Sequence, residues 1–263
     1  MEKPGELPDV WYKELSIEFS DGTREYFHIE RKPTGTHIPL LKDKPEPWTD
    51  LKHHKCPSCP LPDLILSCPA ALSLQTTLGK LRPRHSIERV KATAVDARGR
   101  SQTVEWTMQE VGATLVQLAV FATDCPIGRK LKPYLAGLHP FVSSLDLSRH
   151  IGEQILRKYG GSMEASKDEL LSVLKPLHEI FMHLSERLKS DPNEAAGEGG
   201  ERLSRDAVPN SISTVDAFSQ LLSLRADKLF GQLSKEAGWT RPAPSDAPAS
   251  GGGLLGKIKS LFS

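Results

Sequence analysis

Four cysteines are the residues of this chain whose type and spacing are best suited to chemistry, and a proline follows each of them. Cys56, Cys59 and Cys68 fall within 13 residues as C-x2-C-x8-C, and 56 residues separate Cys68 from Cys125. Two thiolates at C-x2-C can bind one metal centre because the short turn between them brings both sulfur atoms together. In a cytosolic chain this pattern favours a metal over a disulfide. We therefore expect the four sulfur atoms to converge on one metal site.

The identity of the metal follows less directly from the spacing. Structural zinc is commonly bound by two C-x2-C-like pairs, whereas this chain has only one such pair. Three clustered cysteines with a distant fourth are better suited to a [4Fe–4S] cluster, so we expect that cofactor, with zinc as the alternative. Without a metal, the cysteines are small buried hydrophobic residues, or Cys56 and Cys59 form a redox dithiol. The histidines that could replace a thiol ligand are His53, His54, His85 and His139.

The elements that must position these cysteines are predicted to be two β-hairpins followed by a helical half. Residues 10–19 alternate between apolar and polar, and Asp21-Gly22 then predicts a hairpin turn before a second strand at 24–30. Residues 86–95 and 102–108 predict the second hairpin. Apolar residues at spacings of three and four predict helices after it, at 109–123, 144–159, 166–189 and 212–236. Pro176 is expected to kink or shorten the third of these helices. The chain therefore belongs to the α+β class.

The domain organisation changes near Trp239. We expect one α+β domain with the four-cysteine site over residues 8–237 and a flexible linker over 238–253, which is rich in Pro, Ala, Ser and Gly. Residues 254–263 are predicted to form an amphipathic docking peptide. Its apolar stripe follows helical spacing and consists of Leu254, Leu255, Ile258, Leu261 and Phe262. Ten residues are too few to hold a helix alone in water, so we expect this helix to form on a surface that covers the stripe.

The docking peptide has three candidate partners. Lys257 and Lys259 favour an anionic membrane surface. A groove on a protein partner would bind the same apolar spacing. The arrangement of a linker and a short terminal peptide also resembles cargo peptides that recruit enzymes into bacterial protein shells. The remaining alternative is an inert chain terminus.

Composition and charge exclude several classes of protein. Lys and Arg total 34 against 33 Asp and Glu, so the formal net charge is +1 and a strongly basic nucleic-acid binder is excluded. The longest apolar run, residues 113–122, is too short to span a bilayer. The acidic, proline-containing first residues are unlike a secretory signal. We expect a cytoplasmic protein, or one at the periphery of a membrane or a shell.

The sequence around the cysteines resembles an uncharacterised bacterial domain family over about residues 10–237. The shared motifs are CPxCPL, CP-A-L, a G/D-C-P step after an apolar helix and H-x-P-F. In this sequence they correspond to Cys56, Pro57, Cys59, Pro60, Leu61, Cys68, Pro69, Cys125, Pro126, His139, Pro140 and Phe141. Asp124 stands where the family pattern often has glycine. The resemblance implies one intact domain and no particular chemistry.

No nucleotide-binding or hydrolase motif is present in the sequence, and no catalytic residue can be assigned. We therefore predict a metal-stabilised interaction or adaptor module that its C-terminal peptide recruits to a membrane or a protein assembly. The alternative is an iron–sulfur redox protein or an enzyme packaged as cargo in a bacterial protein shell.

Overall fold

A computed structural model describes residues 14–27, 44–95, 99–121, 123, 125–135, 138–190 and 206–238. These residues form one four-stranded antiparallel sheet and seven α-helices, which confirms the predicted α+β class. The strands are β1 (Glu14–Glu18), β2 (Arg24–Phe27), β3 (Arg89–Val95) and β4 (Ser101–Thr107). The helices are α1 (Pro69–Leu78), α2 (Met108–Phe121), α3 (Lys132–Leu135), α4 (Ser144–Lys158), α5 (Met163–Lys189), α6 (Ala207–Leu224) and α7 (Ala226–Glu236).

The two predicted hairpins are joined into a single sheet with the strand order β2-β1-β3-β4. In the central pair, Leu15 lies opposite Ala94 and Ile17 lies opposite Ala92, and all four side chains are buried. Because successive side chains of a strand point to opposite faces, the alternation turns one face of the sheet to the core and leaves the other polar. At the first hairpin turn, the Asp21 carboxylate accepts the Thr23 N–H at 2.9 Å.

Helix α2 is the centre of the helical half. Eleven of its 14 residues are buried, because it packs against α1 on one side and α6 on another. A helix that is apolar around most of its circumference is stable only when other elements surround it. Helix α5 in turn packs against α6, and its stripe of leucines extends from Leu170 to Leu188.

One predicted helix is divided in two, and Pro176 does not shorten another. The helix predicted over 212–236 is interrupted at Arg225, which ends α6 and begins α7. The break lets α6 pack against α2 and α5 while α7 packs against α4 and α5. Pro176 lies inside α5, and the helix continues for 13 further residues to Lys189. The buried stripe on both sides of Pro176 compensates for the hydrogen bond that a proline removes.

Several predicted segments lie outside the described residues. They are the outer parts of the first hairpin, Asp124, and the linker and docking peptide from residue 239 onward. Among the helices that are described, none combines the length and the apolar character needed to cross a membrane.

Candidate metal centre

The C-P-S-C turn is held against helix α5. All four cysteines are free thiols, and the Cys59 N–H donates to the Cys56 carbonyl at 2.9 Å, which closes the turn. Between them, the Ser58 N–H and hydroxyl both donate to the Glu179 carboxylate, at 2.8 and 2.7 Å. One carboxylate of α5 therefore fixes the orientation of the turn that carries the first two thiols.

Cys68 lies immediately before helix α1. Its N–H donates to the Thr49 carbonyl at 2.8 Å, and its backbone is extended, as is typical of the residue that caps a helix. Pro69 occupies the first helical position, where its missing N–H is not needed. The positive end of the helix dipole therefore faces this thiol and favours its thiolate form.

Cys125 follows the end of helix α2 and is buried. Its sulfur accepts the N–H of Gly128 at 3.5 Å. A side chain at Gly128 would place its Cβ 2.8 Å from the Val120 carbonyl oxygen, so glycine is required for this close return of the chain. Backbone N–H groups that donate to sulfur are among the contacts by which proteins adjust the potential of iron–sulfur clusters.

The four thiols share one electrostatic neighbourhood. The pKa of the Cys56 thiol is raised to about 12, chiefly by burial and then by the thiols of Cys68, Cys125 and Cys59, in that order. Burial likewise raises the pKa of Cys125 to about 11, with Cys68 and Cys59 adding to the effect. The thiols of the turn at 56–59, the start of α1 and the end of α2 are therefore close enough for their charges to influence one another. Metal binding by Cys56 and Cys125 would displace protons, because only thiolates bind a metal and these two thiols are protonated at neutral pH.

The cysteines do not form a ready-made ion site among the described residues. In the described part of the chain, no group of three or more His, Cys, Asp or Glu side chains is arranged to hold a metal ion. Cys56 and Cys68 pack against the hydrophobic core that contains Cys125. Metal binding by the four cysteines therefore stays a prediction.

Arg187 is a residue of this region that the sequence analysis missed. Its side chain is only 1% exposed, and its guanidinium donates to the carbonyls of Trp48 at 3.0 Å, Leu51 at 3.1 Å and Asp50. Burial raises the pKa of Cys68, and the charge of Arg187 opposes that effect, as do the N–H groups at the start of α1. The sequence contained one indication of this burial, because Arg187 lies beside the apolar stripe of α5, between Leu184 and Leu188.

The histidines considered as substitute ligands have other contacts. His53 Nε2 lies 2.5 Å from Ser190 Oγ, and the rings of His53 and His54 pack edge to face with centroids 4.7 Å apart. His85 Nδ1 lies 3.6 Å from Asp206 Oδ1. His139 packs beside Phe141, which is buried against Trp106. The H-x-P-F segment thus supplies an aromatic contact of the core.

Comparison with curated proteins finds no match, and comparison with solved structures finds none. A family model described as "Domain of unknown function (DUF6901)" matches residues 14–234, a range that includes all four cysteines. The expectation that the chain belongs to an uncharacterised family is thereby confirmed. This chain is a member of the DUF6901 family of unknown function.

Proposed function

We propose that this chain is a non-catalytic, metal-stabilised interaction module in which Cys56, Cys59, Cys68 and Cys125 together bind one [4Fe–4S] cluster, with zinc as the alternative. The observation that carries the proposal is the mutual influence of the four thiols, which come from three separate parts of the fold. We also infer that the Cys-Pro steps are the ligand motif of the family.

The polar groups around the thiols support a structural role over substrate chemistry. Both oxygens of Glu179 accept hydrogen bonds from Ser58, and the guanidinium of Arg187 donates to three backbone carbonyls. Each charged group therefore holds the backbone that carries the cysteines. A catalytic site instead needs convergent polar groups that are available to a substrate.

Anaerobic purification followed by metal analysis and a visible spectrum tests the proposal. We expect about four irons per chain with a broad visible absorbance for a [4Fe–4S] cluster, or one zinc per chain without colour for the alternative. Bound metal should also stabilise the fold, since ligands that bind only the native state raise the free energy of unfolding. A protein that takes up neither metal after anaerobic reconstitution would show that the cysteines are ordinary core residues.

We further propose that residues 254–263 deliver this module to a surface. Burying the five apolar side chains of the stripe contributes roughly 1.5–3 kcal/mol each, and the entropy of ordering the peptide offsets part of this. The result is weak, reversible binding, which is suited to recruitment. The peptide would thus act independently of the cysteine site.

Fusion of residues 241–263 to an inert fluorescent protein tests the docking peptide in the native host. We expect the fusion to localise, and Ile258→Asp with Phe262→Asp to abolish the localisation. Ser260→Asp adds a single negative charge on the polar face, leaves the stripe intact and should retain the localisation. Binding to anionic vesicles that is lost in high salt would identify a membrane, and salt-insensitive binding a protein groove. A fusion that stays diffuse would show that the terminus is inert.

A further inference from the structure

The two edges of the sheet are protected to different extents. An edge strand carries a row of N–H and C=O groups that can pair with another chain, and proteins block such edges with short strands, lysines or prolines. Edge strand β2 has only four residues, and Lys80 donates to its Tyr26 carbonyl at 2.8 Å and pairs with Glu25 at 3.0 Å. The β2 edge is therefore short and blocked by a lysine.

The opposite edge strand, β4, is longer and lacks these features. It has seven residues, contains no lysine or proline, and keeps an unbroken register with β3. The Met108 N–H donates to the Glu88 carbonyl at 2.7 Å, which makes these residues a hydrogen-bonded pair of the antiparallel ladder. Because such pairs alternate with non-hydrogen-bonded pairs, the backbone groups of Ser101, Thr103 and Glu105 point away from β3, toward the open edge.

Most of these outward backbone groups have no partner among the described residues. Near the end of β4, the Thr107 N–H donates to the Glu110 carboxylate at 2.8 Å, and Arg89 donates to the Glu105 carbonyl at 2.9 Å. From Ser101 to Glu105, the other outward N–H and C=O groups bond to no described residue. The side chains of the outward residues in this stretch are exposed. This part of β4 is therefore available for pairing with a further strand.

We propose that β4 pairs in antiparallel orientation with β4 of a second copy of this chain, with Thr103 opposite the partner's Thr103. A two-fold axis at Thr103 lets its N–H and C=O exchange hydrogen bonds with the partner's Thr103. The same axis places Ser101 opposite the partner's Glu105, so that the Ser101 carbonyl accepts the N–H of the partner's Glu105. The two four-stranded sheets then form one continuous sheet across the dimer.

The side chains of β4 favour a second copy over an unrelated peptide. Pairing at a sheet edge gives little sequence specificity by itself, and edges that bind peptides add pockets for alternate side chains of the peptide. The exposed face of β4 instead presents Ser101, Thr103 and Glu105, which are small or charged. In the proposed register, Thr103 and Thr93, whose hydroxyls lie 2.9 Å apart, meet the same pair of the partner. Cross-strand threonine pairs stabilise a sheet.

Charge favours this register over the neighbouring one. An axis at Glu105 would put two glutamates directly opposite each other, which is unfavourable. An axis at Thr103 leaves Glu105 opposite a neutral serine and beside Lys91, its cross-strand neighbour in β3. The pairing uses none of the cysteines, so it goes beyond the proposed function and does not depend on bound metal.

Sedimentation velocity of the full chain over a range of concentrations tests the pairing. We expect wild type to dimerise reversibly and Thr103→Pro to be monomeric, since proline has no N–H to donate at the centre of the interface. Thr103→Val is the matched control. It loses the hydroxyl contact with Thr93 but keeps the N–H and a β-branched side chain, so it should remain dimeric.

Two substitutions at the exposed Ser101 test the register. Ser101→Lys places a cation opposite the partner's Glu105 and should lower the dissociation constant of the dimer. Ser101→Glu places two carboxylates opposite each other and should raise it. Because the symmetric interface contains this pair twice, the dissociation constants of the two variants should differ by about 10-fold or more.

The outcomes of these measurements decide the inference. A wild-type chain that stays monomeric at every concentration overturns it, and so does a dimer that Thr103→Pro leaves intact. Equal dissociation constants for Ser101→Lys and Ser101→Glu would also overturn it, because the proposed register would then be wrong. If Thr103→Pro fails to fold, the two Ser101 variants decide the question alone. Metal analysis of the same samples separates this result from the proposed function, since the failure of either leaves the other in place.

Discussion

For the proposed four-cysteine site, replacing Cys125 with serine should abolish metal binding and leave the fold in place. The hydroxyl of serine is close in size to the thiol and can accept the Gly128 N–H, which now donates to sulfur at 3.5 Å. It is, however, a poor ligand for zinc or iron at neutral pH, because its oxygen remains protonated. Metal per chain should fall from full occupancy to near zero, as measured by metal analysis and by the visible spectrum.

Cys125 is the informative position because it is distant from the other three cysteines in the sequence. If a local site at 56–68 alone bound the metal, Cys125→Ser would keep it, and the four-cysteine site would be disproved. Ser58→Ala is the matched control. It lies in the turn between two of the ligands and loses the hydroxyl bond to Glu179, yet it keeps the N–H bond to the same carboxylate. That variant should retain the metal.

The sheet and most helices could be predicted because their burial follows from local periodicity. The alternation in β1 indicates which face of the strand packs on the core. The spacing of the leucines in α5 indicates the buried stripe of that helix. Apolar periodicity did not predict helix α1, because its sequence, PAALSLQTTL, is apolar over most of its circumference and has little amphipathic character. Only the CP-A-L motif of the family resemblance marked a helix start there. The break at Arg225 was missed because both halves share one phase of apolar residues while packing on different neighbours.

In the cysteine region, too, some features could be predicted from the sequence and others could not. The spacing of the thiols and their proline neighbours is visible in the sequence, and the grouping of all four stays a prediction. Glu179 and Arg187 could not be assigned, since Glu179 contacts Ser58 across 121 residues and Arg187 contacts Trp48 across 139. The position of Arg187 beside the apolar stripe of α5 is compatible with burial but does not identify its hydrogen-bond partners. Only the fold shows that the partner is the segment that holds Cys68.

The second large effect concerns the packing of α2 on α6. Gly112 in α2 faces Ser211 in α6 so closely that a Cβ at Gly112 would lie 1.9 Å from Ser211 Oγ and 2.9 Å from Ser211 Cβ. Rotation of the hydroxyl cannot relieve the second contact, so the two helices must separate. Overpacking of this kind costs about 1–3 kcal/mol, and we expect Gly112→Ala to be at the upper end. In a domain of this size, such a loss lowers the melting temperature by roughly 6–12 °C.

Two control substitutions, Gly231→Ala and Ser211→Gly, distinguish the effect of this clash on stability from the intrinsic effect of alanine in a helix. Gly231 lies inside α7, and the nearest atom to a Cβ there is Met163 Cε at 4.0 Å. Gly231→Ala should therefore stabilise the protein, by up to about 1 kcal/mol, because alanine is the better helix former. Ser211→Gly removes both clashing atoms and should restore most of the stability lost in Gly112→Ala, a coupling that denaturant unfolding of the double mutant measures. Equal stability of Gly112→Ala and wild type would mean that α2 and α6 pack less closely than described.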